Sequence, residues 1–408
     1  MKITGLLLFM ALSLSAQYPS ARLDTQVDNY HGVQVKDPYR WLEDLRSDET
    51  KAWVKQQQAL TSNYFSELPE RAFFLKRLEE VYNYPKYTLP YEKDGWYYFS
   101  KNNGLQNQFV HYREKGGTTE LVMDPNLLRQ DGTTVMGQLV HSLDGSLAAY
   151  TLSPAGADEQ VIRILDMRSL KPLKDSLQGV KFSRIAWEGS GFYYCRYPKK
   201  GEAQHHQVYY QNAAEPKQLN TLYTTEDEGL AILSYSDRSK GSSGNALYYK
   251  RRGEKSFTPI QAVQSKWNYS LIHADGETVY IRTNENAANE KIMRYRLDTR
   301  EWSEFIPERE QALQAVSTGG NKFFLAYLKD VTTRVYRYGI SGAFEEEVQL
   351  PGVGTAGGFA GKKTDRSLLY YYTSFNRPTT TFRYDLETGQ SRVFRQPEVA
   401  FRPEEFIT

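Results

Sequence analysis

The sequence predicts an all-β fold, a seven-bladed β-propeller that follows a helical N-terminal extension. From about residue 85 onward, short runs of Tyr, Val, Ile, Phe and Thr alternate with polar residues and are separated by Gly, Asn and Asp, a pattern typical of strands and turns. A turn followed by an aromatic-rich strand recurs seven times in this part of the chain. The repeated tyrosines are Tyr98, Tyr150, Tyr194, Tyr249, Tyr280, Tyr327 and Tyr371.

The spacing of these tyrosines predicts the number of blades. Tyr98 and Tyr371 are 273 residues apart, which over six intervals gives about 45 residues per repeat, and a four-stranded blade takes about 40–50 residues. Seven repeats at this spacing predict seven blades over residues 85–402. Because the individual gaps range from 31 to 55 residues, a large β-sandwich or an irregular β domain is the alternative.

Residues 17–84 have a different composition, which predicts helices. Ser47 is suited to cap a helix whose first turn contains Asp48 and Glu49, since acidic side chains there complement the helix dipole. The stretch from Lys51 to Glu67 contains neither Gly nor Pro. Pro69 is then expected to open a second short helix. We therefore expect a helical segment before the first blade.

The first 16 residues have the composition of a secretory signal peptide. Lys2 precedes a short apolar stretch, and the small residues Ser15 and Ala16 follow it. The apolar stretch is shorter than the roughly 20 residues that a bilayer-spanning helix needs, and no second apolar run follows. We expect removal of residues 1–16, a soluble periplasmic or secreted protein, and no association with a membrane.

Charge and composition give no indication of a nucleic acid partner, a metal or a cofactor. The chain has 51 basic and 49 acidic residues, a net charge of +2, so a polyanion is not an expected partner. None of the six histidines has the spacing of a metal site. The acidic run Glu226–Glu228 is interpreted as a solvated loop. Cys195, the single cysteine, is expected to be a small buried side chain in a strand.

Two enzyme motifs bear on whether this sequence contains a catalytic serine or a dinucleotide site. A nucleophile elbow needs Gly-x-Ser-x-Gly, but Ser243 and Ser341 each have only the preceding glycine, and no other serine fits. Residues 352–357 have the spacing Gly-x-Gly-x-x-Gly of a dinucleotide site, yet Pro351 precedes them and further glycines follow, which disfavours the required helix. We interpret them as a glycine-rich link between blades, and we expect no catalytic residue and no cofactor.

Four segments carry a resemblance to a known family. They are Tyr30-His-Gly-Val-Gln-Val-Lys-Asp-Pro-Tyr-Arg-Trp-Leu-Glu-Asp44, Asn103-Gly-Leu-Gln-Asn-Gln108, Met123-Asp-Pro-Asn-Leu-Leu128 with Asp131-Gly-Thr133, and Tyr371-Tyr-Thr-Ser-Phe375. Together they resemble prolyl oligopeptidases from about residue 18 to residue 408. The Gly-Leu-Gln-Asn-Gln segment is more similar to the prolyl-specific branch than to oligopeptidase B or the dipeptidyl peptidases.

The resemblance implies a secreted two-domain serine endopeptidase that cleaves short peptides after proline. In that family a seven-bladed propeller covers an α/β-hydrolase domain, the helical N-terminal segment packs on the hydrolase, and the Ser, Asp and His of the triad follow the propeller in sequence. Residues 403–408 are then the start of the link to a hydrolase domain that this chain lacks. The family's partners are short proline-containing peptides, and the propeller gates their access. This chain alone is therefore expected to be inactive.

One substrate-contacting residue follows from the resemblance. The segment from Val180 to Trp187 resembles the family stretch whose phenylalanine walls the substrate pocket, which makes Phe182 the candidate; a blade-core phenylalanine is the alternative. Arg238 is a candidate replacement for a basic pocket residue of the family, and this assignment stays open. A free-standing exported binding propeller without enzymatic activity is the competing function, although such a protein has no need of the helical segment.

Overall fold

The computed structural model describes residues 18–196, 207–209, 218–237, 241, 243–399 and 405. The predicted signal peptide and Arg238 lie outside these residues. The chain forms two compact units, Met1–Tyr82 and Asn83–Thr408.

The first unit contains a hairpin and two helices. Strands β1 (Val27–Tyr30) and β2 (Val33–Lys36) pair antiparallel, and α1 (Asp48–Ser66) and α2 (Arg71–Tyr82) follow. The predicted cap is confirmed, because the Ser47 side chain accepts a hydrogen bond from the backbone N–H of Thr50. The hairpin was not predicted, and α2 begins two residues after Pro69 because Pro69 and Glu70 form a turn.

The second unit consists of antiparallel sheets in chain order. Within the described residues there are six such sheets; five correspond to one blade each, and the seven-stranded sheet spans blades 2 and 3, which gives seven consecutive blades. Blade 1 contains β3 (Lys86–Tyr87), β4 (Tyr91–Lys93), β5 (Trp96–Asn102), β6 (Val110–Lys115) and β7 (Thr118–Met123). Blade 2 contains β8 (Val135–His141), β9 (Leu147–Ser153), β10 (Glu159–Asp166) and β11 (Lys171–Lys181). Blade 3 contains β12 (Ala186–Glu188), β13 (Gly191–Arg196) and β14 (Gln207–Tyr209).

Blades 4 to 7 have four strands each. Blade 4 contains β15 (Gln218–Thr224), β16 (Leu230–Asp237), β17 (Ala246–Arg251) and β18 (Thr258–Gln261), and blade 5 contains β19 (Tyr269–Asp275), β20 (Thr278–Thr283), β21 (Lys291–Arg296) and β22 (Trp302–Ile306). Blade 6 contains β23 (Ala312–Gly319), β24 (Lys322–Lys329), β25 (Thr332–Gly339) and β26 (Phe344–Glu347). Blade 7 contains β27 (Thr355–Ala360), β28 (Ser367–Thr373), β29 (Thr380–Asp385) and β30 (Ser391–Arg395). The predicted all-β propeller with an N-terminal helical extension is confirmed.

The apolar core of the propeller lies between its blades. Six clusters of buried side chains occupy the six interfaces between consecutive blades, from blades 1 and 2 to blades 6 and 7. Each sheet therefore buries side chains against the next sheet rather than within itself. This arrangement explains the aromatic-rich strands, since large rings fill the space between twisted sheets.

The interface between blade 7 and blade 1 is built differently. Lys362 lies 3.2 Å from the Glu92 carboxylate, and Arg395 lies 3.4 Å from that of Glu114. The Arg395 guanidinium also lies 4.3 Å from the ring centre of Phe99. Among the described residues, no buried apolar cluster spans this interface. Ion pairs and cation–π contacts therefore hold the last blade against the first.

The tyrosine repeat is mostly, but not wholly, in equivalent positions. Six of the seven tyrosines lie in the second main strand of their blade, whereas Tyr249 lies in β17, the third strand of blade 4. This shift accounts for the longest and shortest gaps in the repeat, which flank Tyr249. In β13 the buried ring belongs to Tyr193 and not to the repeat tyrosine Tyr194, and in β28 the buried rings belong to Tyr370 and Tyr372 and not to Tyr371. The reason is that neighbouring strand residues face opposite sides of a sheet.

Two further sequence interpretations are only partly right. Gly352 and Gly354 lie in the link between blades 6 and 7, as predicted, but Gly357 and Gly358 lie within β27, where they pair with Tyr371 and Tyr370 of β28. The acidic run is not wholly solvated either. Glu228 is only 4% exposed, and its carboxylate accepts a hydrogen bond of 2.7 Å from the Gly189 backbone N–H. It joins blade 4 to blade 3, a contact between residues 39 positions apart.

Candidate substrate pocket

Phe182 lies at the end of β11, in the turn that leads from blade 2 to blade 3. Its φ is 53°, in the left-handed region that aromatic residues rarely adopt. The side chain is 55% exposed, so the alternative of a blade-core phenylalanine is wrong. Such backbone strain persists only where surrounding contacts hold it, and it is common at functional sites.

Hydrogen bonds on the residue after Phe182 hold this turn. The Gln138 side-chain amide donates to the Ser183 carbonyl over 2.8 Å, and the Cys195 backbone N–H donates to the Ser183 hydroxyl over 2.7 Å. Gln138 is itself oriented by a hydrogen bond from its backbone N–H to the Thr151 hydroxyl. The turn is therefore attached to strands of both neighbouring blades.

The Phe182 ring lines an open pocket of about 590 Å³, within the size range of small-ligand sites. Blade 2 contributes most of the wall, the link after β11 contributes one side, and β15 of blade 4 contributes the opposite edge. The lining residues are Gln138, Ala157, Asp158, Gln160, Phe182, Ser183, Arg184 and Thr221. Amide and hydroxyl groups thus surround one exposed aromatic ring, which suits a ligand with both apolar and hydrogen-bonding parts.

Two charged side chains contribute to the pocket wall, with different surroundings. The Asp158 carboxylate lies 3.3 Å from the Lys181 ammonium, which in turn lies 5.0 Å from the Phe182 ring centre. Arg184 is exposed. Sequence reasoning missed Arg184, Gln138 and the rest of the wall, since these residues come from distant strands and no local motif marks them.

Cys195 lies directly behind this pocket and is buried, as expected. Burial raises the pKa of its thiol to about 12, and the hydrogen bond with Ser183 only partly offsets that rise. A thiol with so high a pKa is protonated at neutral pH and is a poor nucleophile. Its role at this place is to fill space and to anchor Ser183 through its backbone.

Among the described residues, no three His, Cys, Asp or Glu side chains gather as a metal site would require. No helix in the described part of the chain is long and apolar enough to cross a membrane. Arg238, the other candidate pocket residue, lies outside the described residues, and its assignment stays a prediction.

Two of the four segments noted in the sequence, the second and the third, meet in blade 1. The Gln108 backbone N–H donates to the Asn126 side chain over 2.9 Å, and Asn126 donates back to the Gln108 carbonyl over 3.1 Å. The Gln108 amide also donates to the Gly132 carbonyl over 3.3 Å. These polar residues therefore join the loop after β5 to the connection between blades 1 and 2.

Comparison with known proteins identifies the propeller. The family model described as the prolyl oligopeptidase N-terminal beta-propeller domain matches residues 18–397. The chain belongs to the prolyl oligopeptidase family. The resemblance drawn from the four sequence segments is thereby confirmed.

The relatives within the prolyl oligopeptidase family are longer than this chain. A prolyl endopeptidase of Elizabethkingia miricola is 35% identical over 97% of this chain, which spans 59% of that protein. A solved structure from a study of two prolyl endopeptidases and their inter-domain dynamics has a TM-score of 0.85 at 28% identity, with 95% of this chain and 61% of that chain covered. Prolyl oligopeptidase B from Galerina marginata, solved with a 35-residue substrate, has a TM-score of 0.82 at 28% identity over 95% and 62%. The chain thus spans about three fifths of the length of its relatives.

Proposed function

We propose that this chain is the N-terminal and propeller part of a secreted prolyl oligopeptidase, a serine endopeptidase that cleaves short peptides after proline. The observation that carries the proposal is the similarity to prolyl endopeptidases over 97% of the chain but only 59% of the relative's length. The catalytic serine, aspartate and histidine are assigned to the remaining part of such a protein. The propeller gates the access of peptides to them.

The exposed helices of the first unit support a hydrolase partner. Of the described side chains of α1 and α2, only that of Thr50 is buried. Large apolar side chains are exposed instead, namely Val54, Tyr64, Phe65, Phe73, Phe74, Leu75, Leu78 and Val81. Burying one such side chain contributes roughly 1.5–3 kcal/mol. In the proposal the hydrolase domain covers these helices.

The Phe182 pocket supports peptide binding by the propeller. An exposed aromatic ring offers an apolar surface to a peptide side chain or a proline ring, and the amides of Gln138 and Gln160 in the same wall offer donors and acceptors to a peptide backbone. In this proposal Phe182 walls the substrate pocket and contributes to binding. The bond-breaking steps belong to the serine of the hydrolase domain, by acyl transfer.

Two forms of the protein, the chain alone and a fusion, test the proposal. Expressed from its first residue in a bacterial host, the exported chain should begin at Ala16 or Gln17 and should not hydrolyse a Gly-Pro reporter peptide. Fused to the part of the Elizabethkingia miricola enzyme that it does not match, it should cleave the reporter after proline. The matched control is the same fusion with the catalytic serine of that part changed to alanine.

Two outcomes would contradict the proposal. Turnover by the chain alone that a serine-directed reagent blocks would place a nucleophile within these residues. A folded fusion that binds no substrate and cleaves nothing would favour a free-standing binding propeller. Retention of residues 1–16 on the recovered protein would overturn the export assignment alone.

A further inference from the structure

Arg184 is a cation on the pocket wall without a partner among the residues that the structure describes. Within the described residues, its guanidinium takes part in no hydrogen bond or ion pair. The other charged side chain of the wall, Asp158, has its charge offset by Lys181 at 3.3 Å. The pocket wall therefore carries one uncompensated positive charge. Because a guanidinium has five donors and no acceptor, it is suited to an anionic ligand group.

The backbone beneath Arg184 is fixed on both sides. Ser183 before it accepts hydrogen bonds from Gln138 and Cys195, and Ile185 after it is buried between blades 2 and 3. The side chain thus projects into the pocket from a rigid base, two residues after Phe182. A group held in this way loses little further backbone freedom when a ligand binds.

The positive charge of Arg184 acts on blade 4. Burial raises the pKa of Tyr223 in β15, and both a hydrogen bond from the Leu271 backbone and the positive charge of Arg184 oppose that rise. Thr221, two residues before Tyr223 in the same strand, lines the pocket. Arg184, in the link after β11, and Thr221, in the first strand of blade 4, therefore line the same pocket.

We propose that Arg184 determines substrate specificity by binding a carboxylate of the peptide, either an Asp or Glu side chain or the peptide's C-terminal carboxylate. The inference rests on the proposed function in taking the ligand to be a peptide. The planar guanidinium donates two parallel hydrogen bonds to one carboxylate, which a lysine ammonium does not match in geometry. Phe182 contacts an apolar part of the same peptide, so the two side chains select a short peptide with an acidic group beside an apolar one.

The test is peptide binding to the full chain, measured by isothermal titration calorimetry. The neutral probe is the acetylated and amidated peptide Ala-Ala-Gly-Pro-Ala-Ala. One arm replaces the C-terminal amide by the free acid, and a second arm compares a Glu with a Gln at the second position. At least one carboxylate peptide should bind about tenfold more tightly than its neutral match, as expected for a partly exposed charged hydrogen bond. The arm that shows the difference identifies the source of the carboxylate.

Three variants test whether Arg184 causes the preference for carboxylate peptides. Arg184→Gln should remove the difference between acidic and neutral peptides, and Arg184→Lys should keep only part of it. Arg392→Gln removes the same charge from an exposed position in β30 and should keep the full difference. Raising the salt concentration should also reduce the preference in the unchanged protein, since an open pocket is screened by ions. Because Arg184 and Arg392 are exposed, all three variants should unfold at the temperature of the unchanged protein.

Equal binding of acidic and neutral peptides would overturn the inference, as would a preference that survives in Arg184→Gln. Absence of any peptide binding at millimolar concentration would overturn it as well, because the whole pocket wall lies within this chain. These outcomes are separate from the fate of the proposed function. A carboxylate preference measured by calorimetry needs no catalytic serine, and proline-specific cleavage by the fusion needs no Arg184.

Discussion

Phe182 and Phe359 show how one unusual backbone conformation serves two purposes. Both phenylalanines have a positive φ, 53° and 59°. Phe359 is 2% exposed and stacks on Phe324 and Tyr370 between blades 6 and 7, whereas Phe182 is 55% exposed and lines a pocket. The strained backbone conformation occurs within β27 at the buried Phe359 and in a turn at the exposed Phe182. This contrast is the basis for a matched pair of substitutions.

Phe182→Ala should raise the KM for a Gly-Pro reporter in an active fusion with a hydrolase domain, with little change in kcat or in the free energy of unfolding. The reason is that its exposed ring contributes contact area to a ligand and little to the core. Phe359→Ala should instead cost about 3–5 kcal/mol of stability, as expected for a large buried aromatic, and leave the KM unchanged. Steady-state kinetics and urea denaturation of both variants are the measurements. A Phe182 variant that loses stability and keeps its KM would assign the ring to packing alone.

At the scale of elements, the helices and the blades are stabilised in different ways. Each blade buries side chains against its neighbours in the same unit, in clusters such as that of Tyr98, Met136 and Tyr150. Helices α1 and α2, of 19 and 12 residues, have almost no buried side chain of their own. Isolated helices of this length are marginal in water, because tertiary packing supplies most helical stability. The helical unit should therefore open far more readily than the propeller.

Limited proteolysis of the purified chain measures this difference. Trypsin should cut first between Tyr18 and Tyr84, at sites such as Lys55 and Arg77, and leave a resistant fragment that begins near Pro85. Lys329, at the exposed end of β24 next to the turn that leads to β25, is the internal control because it lies in an equally accessible place on a packed sheet. Protection of the helices equal to that of Lys329 would mean that they are covered in the isolated chain. That result would count against the proposal that a hydrolase domain covers these helices.

At the scale of the whole molecule, the described residues form a buried apolar cluster at six blade interfaces and none at the interface of blades 7 and 1. The contacts between blades 7 and 1 include the pairs Lys362–Glu92 and Arg395–Glu114, all partly exposed. Exposed ion pairs contribute about 0–1 kcal/mol each, so most of the stability of the ring comes from the other interfaces. A change in the protonation of groups buried near those interfaces should therefore change the free energy of unfolding more than loss of the ion pairs between blades 7 and 1 does.

The stability of the propeller should fall as pH decreases from about 6.5 to about 4. Burial lowers the pKa of His111 and of His141 to about 4; Asp124 opposes the effect at His111, and Lys93 and Arg113 add to it at His141. An unfolded histidine has a pKa of about 6.5, so in this window the unfolded chain binds more protons than the folded one, and the free energy of unfolding decreases. Above pH 6.5 both states are neutral and the contribution is constant.

Urea denaturation at several pH values between 7 and 4.5 measures the slope. The double variant His111→Gln, His141→Gln should flatten the loss of stability in this window, whatever its stability at pH 7. His31→Gln changes an exposed histidine of the first unit and should leave the slope unchanged. A double variant as steep as the unchanged protein would assign the acid sensitivity to other groups.

Local signals in the sequence account for the elements that were predicted. Alternation of apolar and polar residues is a property of one strand, and Ser47 caps α1 through a hydrogen bond to Thr50 three residues away. The repeat spacing then gives seven blades, because each blade is built from consecutive strands. Where two strands of a blade are both aromatic, as in blade 4, the repeat marks the wrong strand. A one-residue shift along a strand also moves a side chain to the other face, which is why Tyr193 and Tyr370 are buried instead of the tyrosines that follow them.

The sequence by itself determined the fold class, the helical extension, the family and the identity of Phe182 as a residue of interest. Only the tertiary structure decided that Phe182 is exposed, that Arg184 lies beside it in a pocket, and that Glu228 is buried. The turn at Phe182 depends on the hydrogen bond from Gln138 to Ser183, which are 45 positions apart, and Glu228 depends on Gly189, 39 positions away. The physical reason is that strand and cap patterns arise from neighbours along the chain, whereas a pocket is formed by strands of different blades that meet only after the ring has assembled.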